Sequence, residues 1–171
     1  MKLKKILFGL LALSICCVSC TKDKEEDEAP NINKEDVVAT WKITEEPTID
    51  IAITGMPDAK DLIEESIGGL FNKDDEYEFK SNNTCVVTRN ISEKTMDYKI
   101  EGNKIFNGYI KFVGRFSSNN NKLTLKAGQK ECEEILKKEL ADMGYSPDII
   151  NSAVRLLTKG EVTLVLTKKT E

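Results

Sequence analysis

From Val37 onward, apolar residues recur at every second position. In VVATWKI, Val37, Ala39, Trp41 and Ile43 share one face, while Val38, Thr40, Lys42 and the following Thr44 take the other. The same alternation groups Ile49, Ile51 and Ile53, then Tyr77 with Phe79, then Met96, Tyr98 and Ile100. It continues through Ile110, Phe112 and Phe116, pairs Leu123 with Leu125, and ends with Val162, Leu164 and Leu166. Charged residues or Thr stand opposite, the pattern of antiparallel strands with one buried side. Ser81-Asn82-Asn83, Glu101-Gly102-Asn103 and Ser117–Asn121 read as hairpin connections. The fold class is therefore mainly β. About eight or nine short strands form an antiparallel meander long enough to close into a barrel, which leaves no strand edge exposed.

Two stretches keep a helical period instead. Pro57 to Phe71, after the second strand, places Ile63, Ile67 and Leu70 on one side, with Gly68 and Gly69 weakening its end. Lys130 to Met143 aligns Cys132, Leu136, Leu140 and Met143. Ser146-Pro147-Asp148 then supplies an N-cap, a proline at the first helical position and an early acid. The stripe Ile149, Ile150, Ala153, Val154 and Leu157 follows, and Lys159-Gly160 predicts its stop, with Glu161 restarting a strand. The expected architecture is one domain over 35–171, with a helical pair inserted before the last strand.

The first 34 residues follow neither period. Lys2, Lys4 and Lys5 precede an apolar run from Ile6 to Val18, 13 residues long. That is short of the ~20 needed to span a bilayer and fits a secretory h-region. Thr21 to Lys34 is charge-rich and nearly free of apolar residues, so it reads as a disordered acidic tether, reaching ~45 Å at most when extended.

The join, Cys17-Val18-Ser19-Cys20, resembles the lipobox of bacterial lipoproteins, with Cys17 where that family favours Leu. The resemblance implies a signal peptide over 1–19 and lipidation of Cys20, leaving 20–34 as the tether. Two or more acyl chains hold stably where one holds marginally, so the chain would be anchored to the membrane without spanning it. The acidic run behind Cys20 resembles the surface-export signal of Bacteroidota lipoproteins, and a generic linker accounts for it equally well. An outer-membrane lipoprotein on the periplasmic or surface face of a bacterial envelope is the implied location.

The strands carry a second resemblance. Ala39-Thr40-Trp41-Lys42, Tyr77 to Thr84 (YEFKSNNT), Asn120 to Lys126 (NNKLTLK) and Val162 to Thr167 (VTLVLT) are similar to segments of lipocalin-like domains. Small Bacteroidota lipoproteins often carry such domains. The likeness implies a lipocalin-like barrel with Trp41 plugging its floor.

Charge and composition narrow the function. Without residues 1–19 the chain keeps 22 basic groups against 29 acidic ones, a net −7, which argues against nucleic-acid partners. There is no histidine, which removes the commonest general base and every Ser-His or Cys-His nucleophile. No sequence signal points to a cofactor or metal, and none of the paired acids at Glu45-Glu46, Glu64-Glu65, Asp74-Asp75-Glu76 and Glu133-Glu134 stands out as catalytic. With Cys20 acylated, Cys85 and Cys132 remain. They could form a disulfide, and the favoured reading is two small buried residues. Trp41, Ile51, Phe79, Tyr98 and Phe112 fall on inward faces. They either fill a small core, the favoured reading, or line a ligand cavity. The expectation is a non-catalytic, lipid-anchored envelope protein whose β domain binds a small apolar ligand or a partner. An interaction module using the 130–160 helical pair is the alternative, and a carboxylate-based hydrolase a distant third.

Overall fold

A computed structural model describes residues 30–54 and 57–170. The expected signal segment 1–19, Cys20 and the expected tether up to residue 29 lie outside the described residues. The described residues form nine strands: β1 (Ala39–Ile43), β2 (Thr48–Ile53), β3 (Glu76–Phe79), β4 (Thr84–Arg89), β5 (Ser92–Glu101), β6 (Lys104–Asn107), β7 (Ile110–Phe116), β8 (Lys122–Ala127) and β9 (Leu157–Lys168). Four helices accompany them: α1 (Lys34–Val37), α2 (Pro57–Gly68), α3 (Gln129–Asp142) and α4 (Pro147–Leu156).

Eight strands form a closed antiparallel ring in the order β1-β3-β4-β5-β6-β7-β8-β9, completed by β9 pairing with β1. The barrel is lipocalin-like in architecture, with β2 as an added strand. One edge of β9 serves both β1 and β2: Leu166–Lys168 pairs with β1, and Leu157–Thr163 with β2. β1 and β2 are thus one interrupted strand, and at the break the Thr44 amide still donates to Val165 O at 3.2 Å.

Register places the predicted apolar faces inside. Trp41 stands opposite Tyr77, Phe79 opposite Cys85, Ile105 opposite Phe112, and Leu125 opposite Leu164. The hairpin turns form as the Asn- and Gly-rich clusters suggest, with Asn83 (φ 68°) and Gly102 (φ 62°) in the left-handed region their tight turns need.

The end of the barrel bearing these turns is closed. Trp41 is fully buried there, and its ring centroid lies 5.8 Å from that of Phe116. The last strand brings the Lys168 ammonium 5.8 Å from the centre of the same indole. Trp41 Nε1 donates to Val37 O at 2.8 Å. That bond explains a departure from the sequence pattern: Val37 lies in the one-turn helix α1 rather than on a strand, which sets its carbonyl over the indole four residues on. Lys34 Nζ ties α1 to the neighbouring hairpin through Ser81 O and Asn83 Oδ1, both at 2.6 Å. Packing reaches further back still, because Ile32 is buried and its amide donates to Gly102 O at 2.9 Å.

Within the helical pair, α3 packs on the face of β9 shared by Gly160, Val162 and Leu164, which is the face turned into the barrel, where β9 runs on beyond β8 to pair with β2. Cys132, Ile135 and Leu136 of α3 are buried in one core with the inward strand residues, and α3 also touches β7. Lys111 and Glu131 form an ion pair across this contact, and Glu131 Oε2 accepts from the Gly128 amide at 3.2 Å. Here the expected helix stop is corrected. α4 ends at Leu156, and Lys159-Gly160 lies within β9. The glycine serves close approach rather than helix termination, since a Cβ on Gly160 would stand 2.6 Å from Cys132 Cβ. The Ser146 side chain makes no capping bond, and α4 starts on Pro147 alone. α2 stops at Gly68, three residues before the expected end at Phe71.

Candidate functional site

The other end of the barrel is open. The β4–β5 and β6–β7 turns meet there, with the chain leaving α2 beside them. Arg89, the last residue of β4, organises this rim. Its Nε donates to Asp75 Oδ1 at 3.0 Å, Nη2 to Asp75 Oδ2 at 2.7 Å and to Leu70 O at 2.8 Å, and Nη1 to Gly69 O at 2.7 Å. With its amide oxygen turned to the guanidinium, Asn72 accepts from Nη1 at 3.2 Å. All five guanidinium N–H groups therefore have acceptors. Asp75, only 1 % exposed, also accepts from the Asn72 amide at 3.0 Å. The pair and its carbonyls hold the segment 69–72 over the mouth.

Beneath this rim lies a half-open cavity of about 340 Å³, walled mainly by Leu70, Tyr77, Val87, Met96, Ile110 and Phe112. Phe71 meets Phe112 edge-on at 5.9 Å. Asn107 ends β6 pointing inward, opposite Tyr98, and is 7 % exposed. Its side chain stands beside the Cys85 thiol, and its buried Oδ1 has no hydrogen-bond partner among the described residues. Burial, against a smaller opposing pull from Asn107, pushes the Cys85 thiol up to about 12. Burial, with the Asp75 charge behind it, also raises Tyr77 well above the usual phenol range. At neutral pH both groups are therefore un-ionised. A thiol so placed is a poor nucleophile.

The inward aromatics divide between core and cavity. Trp41 and Phe79 fill the closed half, and Tyr98 joins them, meeting Phe79 edge-on at 5.1 Å and donating its hydroxyl to Lys80 O at 2.8 Å. Phe112 reaches the cavity. Ile51 is buried on β2, outside the closed ring. Cys85 and Cys132 form no disulfide, in line with the favoured reading of two small buried residues: both thiols are free and buried, Cys85 inside the ring and Cys132 on α3 against Gly160.

Of the acidic clusters, Asp74 pairs with Lys42 at 2.8 Å, Glu76 with Lys169 at 2.9 Å and Glu134 with Lys137 at 2.6 Å. No group of three or more Cys, Asp or Glu side chains among the described residues is placed to hold a metal ion. A shallower depression of about 420 Å³ lies at the closed end between Asn31, Tyr98 and Gly102, where Lys34 is already engaged. Among the described residues no helix is long and apolar enough to cross a membrane.

Sequence reasoning passed over the residues that shape this site. Asn107 closes a four-residue strand, KIFN, too short to show a period. Its signal was an inward polar position just before Gly108. Asp75 sat indistinguishably between two other acids, and Arg89 was one cation at a strand end. Compared with protein-family models, curated proteins and solved structures, the chain matches none.

Proposed function

We propose that this chain is a non-catalytic, lipid-anchored envelope protein whose barrel holds a small apolar molecule at its open end. The carrying observation is the half-open cavity of about 340 Å³ with predominantly apolar walls, within the size range of small-ligand sites of about 300–1,000 Å³. The described chain enters at the opposite, closed end, where Ile32 and α1 pack. Two measurements test the reading. A neutral fluorescent apolar probe should bind at one site per chain and be weakened by Phe112→Asp, which puts a charge on the cavity wall; absence of saturable binding sinks the ligand reading. Cys20→Ala should release the protein from membranes, and retention by the same attachment rejects the anchor.

A second reading rests on the helical pair. Met143, Tyr145 and Ile149 are about half exposed around the α3–α4 turn, an apolar tip that suits docking on another envelope protein. A stoichiometric partner lost on Ile149→Glu, with probe binding intact, would favour that role.

A further inference from the structure

Two side chains that line the cavity carry polar groups the protein leaves unengaged. Lys94 is the first. On β5 it stands opposite Val87, two positions from the Met96–Cys85 pair, so it shares the inward face of the strand with Met96 and Tyr98. It lines the cavity at the mouth and makes no ion pair among the described residues. Lys99, on the outward face of the same strand, pairs with Glu101. Lys94 therefore neither fills the core nor neutralises an acid.

Tyr77 is the second. It stands opposite Val87 from the other side, so Tyr77, Val87 and Lys94 form one inward row across three strands. Tyr77 is only 4 % exposed and lines the cavity, yet its hydroxyl makes no hydrogen bond among the described residues. Nor is that hydroxyl sealed away: the described side-chain atoms buried without a partner are Ser66 Oγ and Asn107 Oδ1. Un-ionised at neutral pH, it is free to donate. Two ladder steps, about 10 Å, separate the backbones of Tyr77 and Lys94, and side chains of this length can meet on one head group.

The other charges at the mouth leave that role to Lys94. Every Arg89 N–H is committed to Asp75, Gly69, Leu70 or Asn72. Glu93 reaches the mouth from the outward face of β5, opposite Thr88. An unpaired cation and a free donor on one apolar wall complement a charged acceptor.

We infer that the ligand is an anionic amphiphile, its apolar body in the cavity and a carboxylate head at the mouth, held by the Lys94 ammonium and the Tyr77 hydroxyl. This rests on the cavity being a ligand site and names the class of molecule that site takes.

Calorimetric titration of the purified protein with three matched compounds tests it. 4-Butylbenzoate, 4-butylbenzyl alcohol and 4-butylbenzylamine share one body and carry a negative, a neutral and a positive head. The benzoate should bind about tenfold more tightly than the alcohol, and the amine most weakly. In Lys94→Met the preference for benzoate over alcohol should vanish, and in Tyr77→Phe it should fall about threefold. The first change is at an exposed position and the second removes only a hydroxyl, so the fold is retained in both. Alcohol or amine binding as tightly as the benzoate, or a benzoate preference unchanged by either substitution, overturns the inference while leaving the cavity a ligand site. No binding by any of the three removes the ligand site itself and the inference with it.

Discussion

Arg89 and Asp75 bind each other across the rim of the barrel, Nη2 to Oδ2 at 2.7 Å, with the carboxylate buried and the guanidinium about one-third exposed. The same guanidinium grips Gly69 O and Leu70 O, so one side chain links the end of β4, the start of β3 and the exit of α2.

Arg89→Met should therefore destabilise the protein by about 2–4 kcal/mol in urea denaturation. Removing one partner of a fully buried pair costs about 3–5 kcal/mol, and the partial exposure of Arg89 lowers the figure. Because the loss comes mostly from stranding Asp75, the double variant Arg89→Met/Asp75→Leu should recover part of it. A double variant whose loss equals the sum of the single ones would show that the two side chains act independently.

Two glycines make opposite predictions. Gly160→Ala should cost about 1–3 kcal/mol by overpacking, since the new methyl meets Cys132 Cβ at 2.6 Å and α3 has to move. Cys132→Ala should not rescue it, because the obstructing atom remains. At Gly114 the nearest atoms to a new methyl are Ile32 Cδ1 at 2.5 Å and Ile105 Cδ1 at 3.2 Å, both free ends of flexible side chains. Gly114→Ala should cost less, and its effect should appear as faster hydrogen exchange at the Ile32 amide. A larger loss at Gly114 than at Gly160 would contradict this account.

The two thiols set an alkaline limit. Burial raises both Cys85 and Cys132 from 9.0 to about 12, the charge of Glu131 adding to the effect at Cys132. Folded-state values above the unfolded one mean that their contribution is complete below pH 9 and is lost as pH climbs towards 12. Each thiol should steepen the fall by up to about 1.4 kcal/mol per pH unit in that window. Unfolding midpoints taken from pH 8 to 11 should decline less steeply for Cys85→Ala/Cys132→Ala. Parallel curves would mean that the thiols titrate alike in both states.

The strands were legible because a barrel wall with one wet side imposes a period of two over each run, as at Val162, Leu164 and Leu166. Both long helices announced themselves by their apolar stripes. What stayed hidden depends on contacts between distant residues. Gly160 reads as a helix stop until Cys132 is seen lying on it. Val37 continues the strand alternation until the Trp41 indole claims its carbonyl. The site was harder still, because its cavity is walled by residues from 69 to 112 that lie far apart in the chain, and no local pattern records that. The bond network that saturates Arg89 likewise draws on residues 69 to 75, in a segment with no period of its own.

The shared edge of β9 has a temporal consequence. The ring closes only when residues 166–168 reach Trp41 and Ile43, more than a hundred positions earlier, and β2 waits for the same strand. Such closure is slow, because the chain must meet its entropic cost before the pairing rewards it. A nascent chain emerging N-terminus first therefore holds β1 and β2 without their shared partner until Leu157–Lys168 appear. The barrel is a structure that its own synthesis postpones, which keeps the chain threadable until β9 has been made.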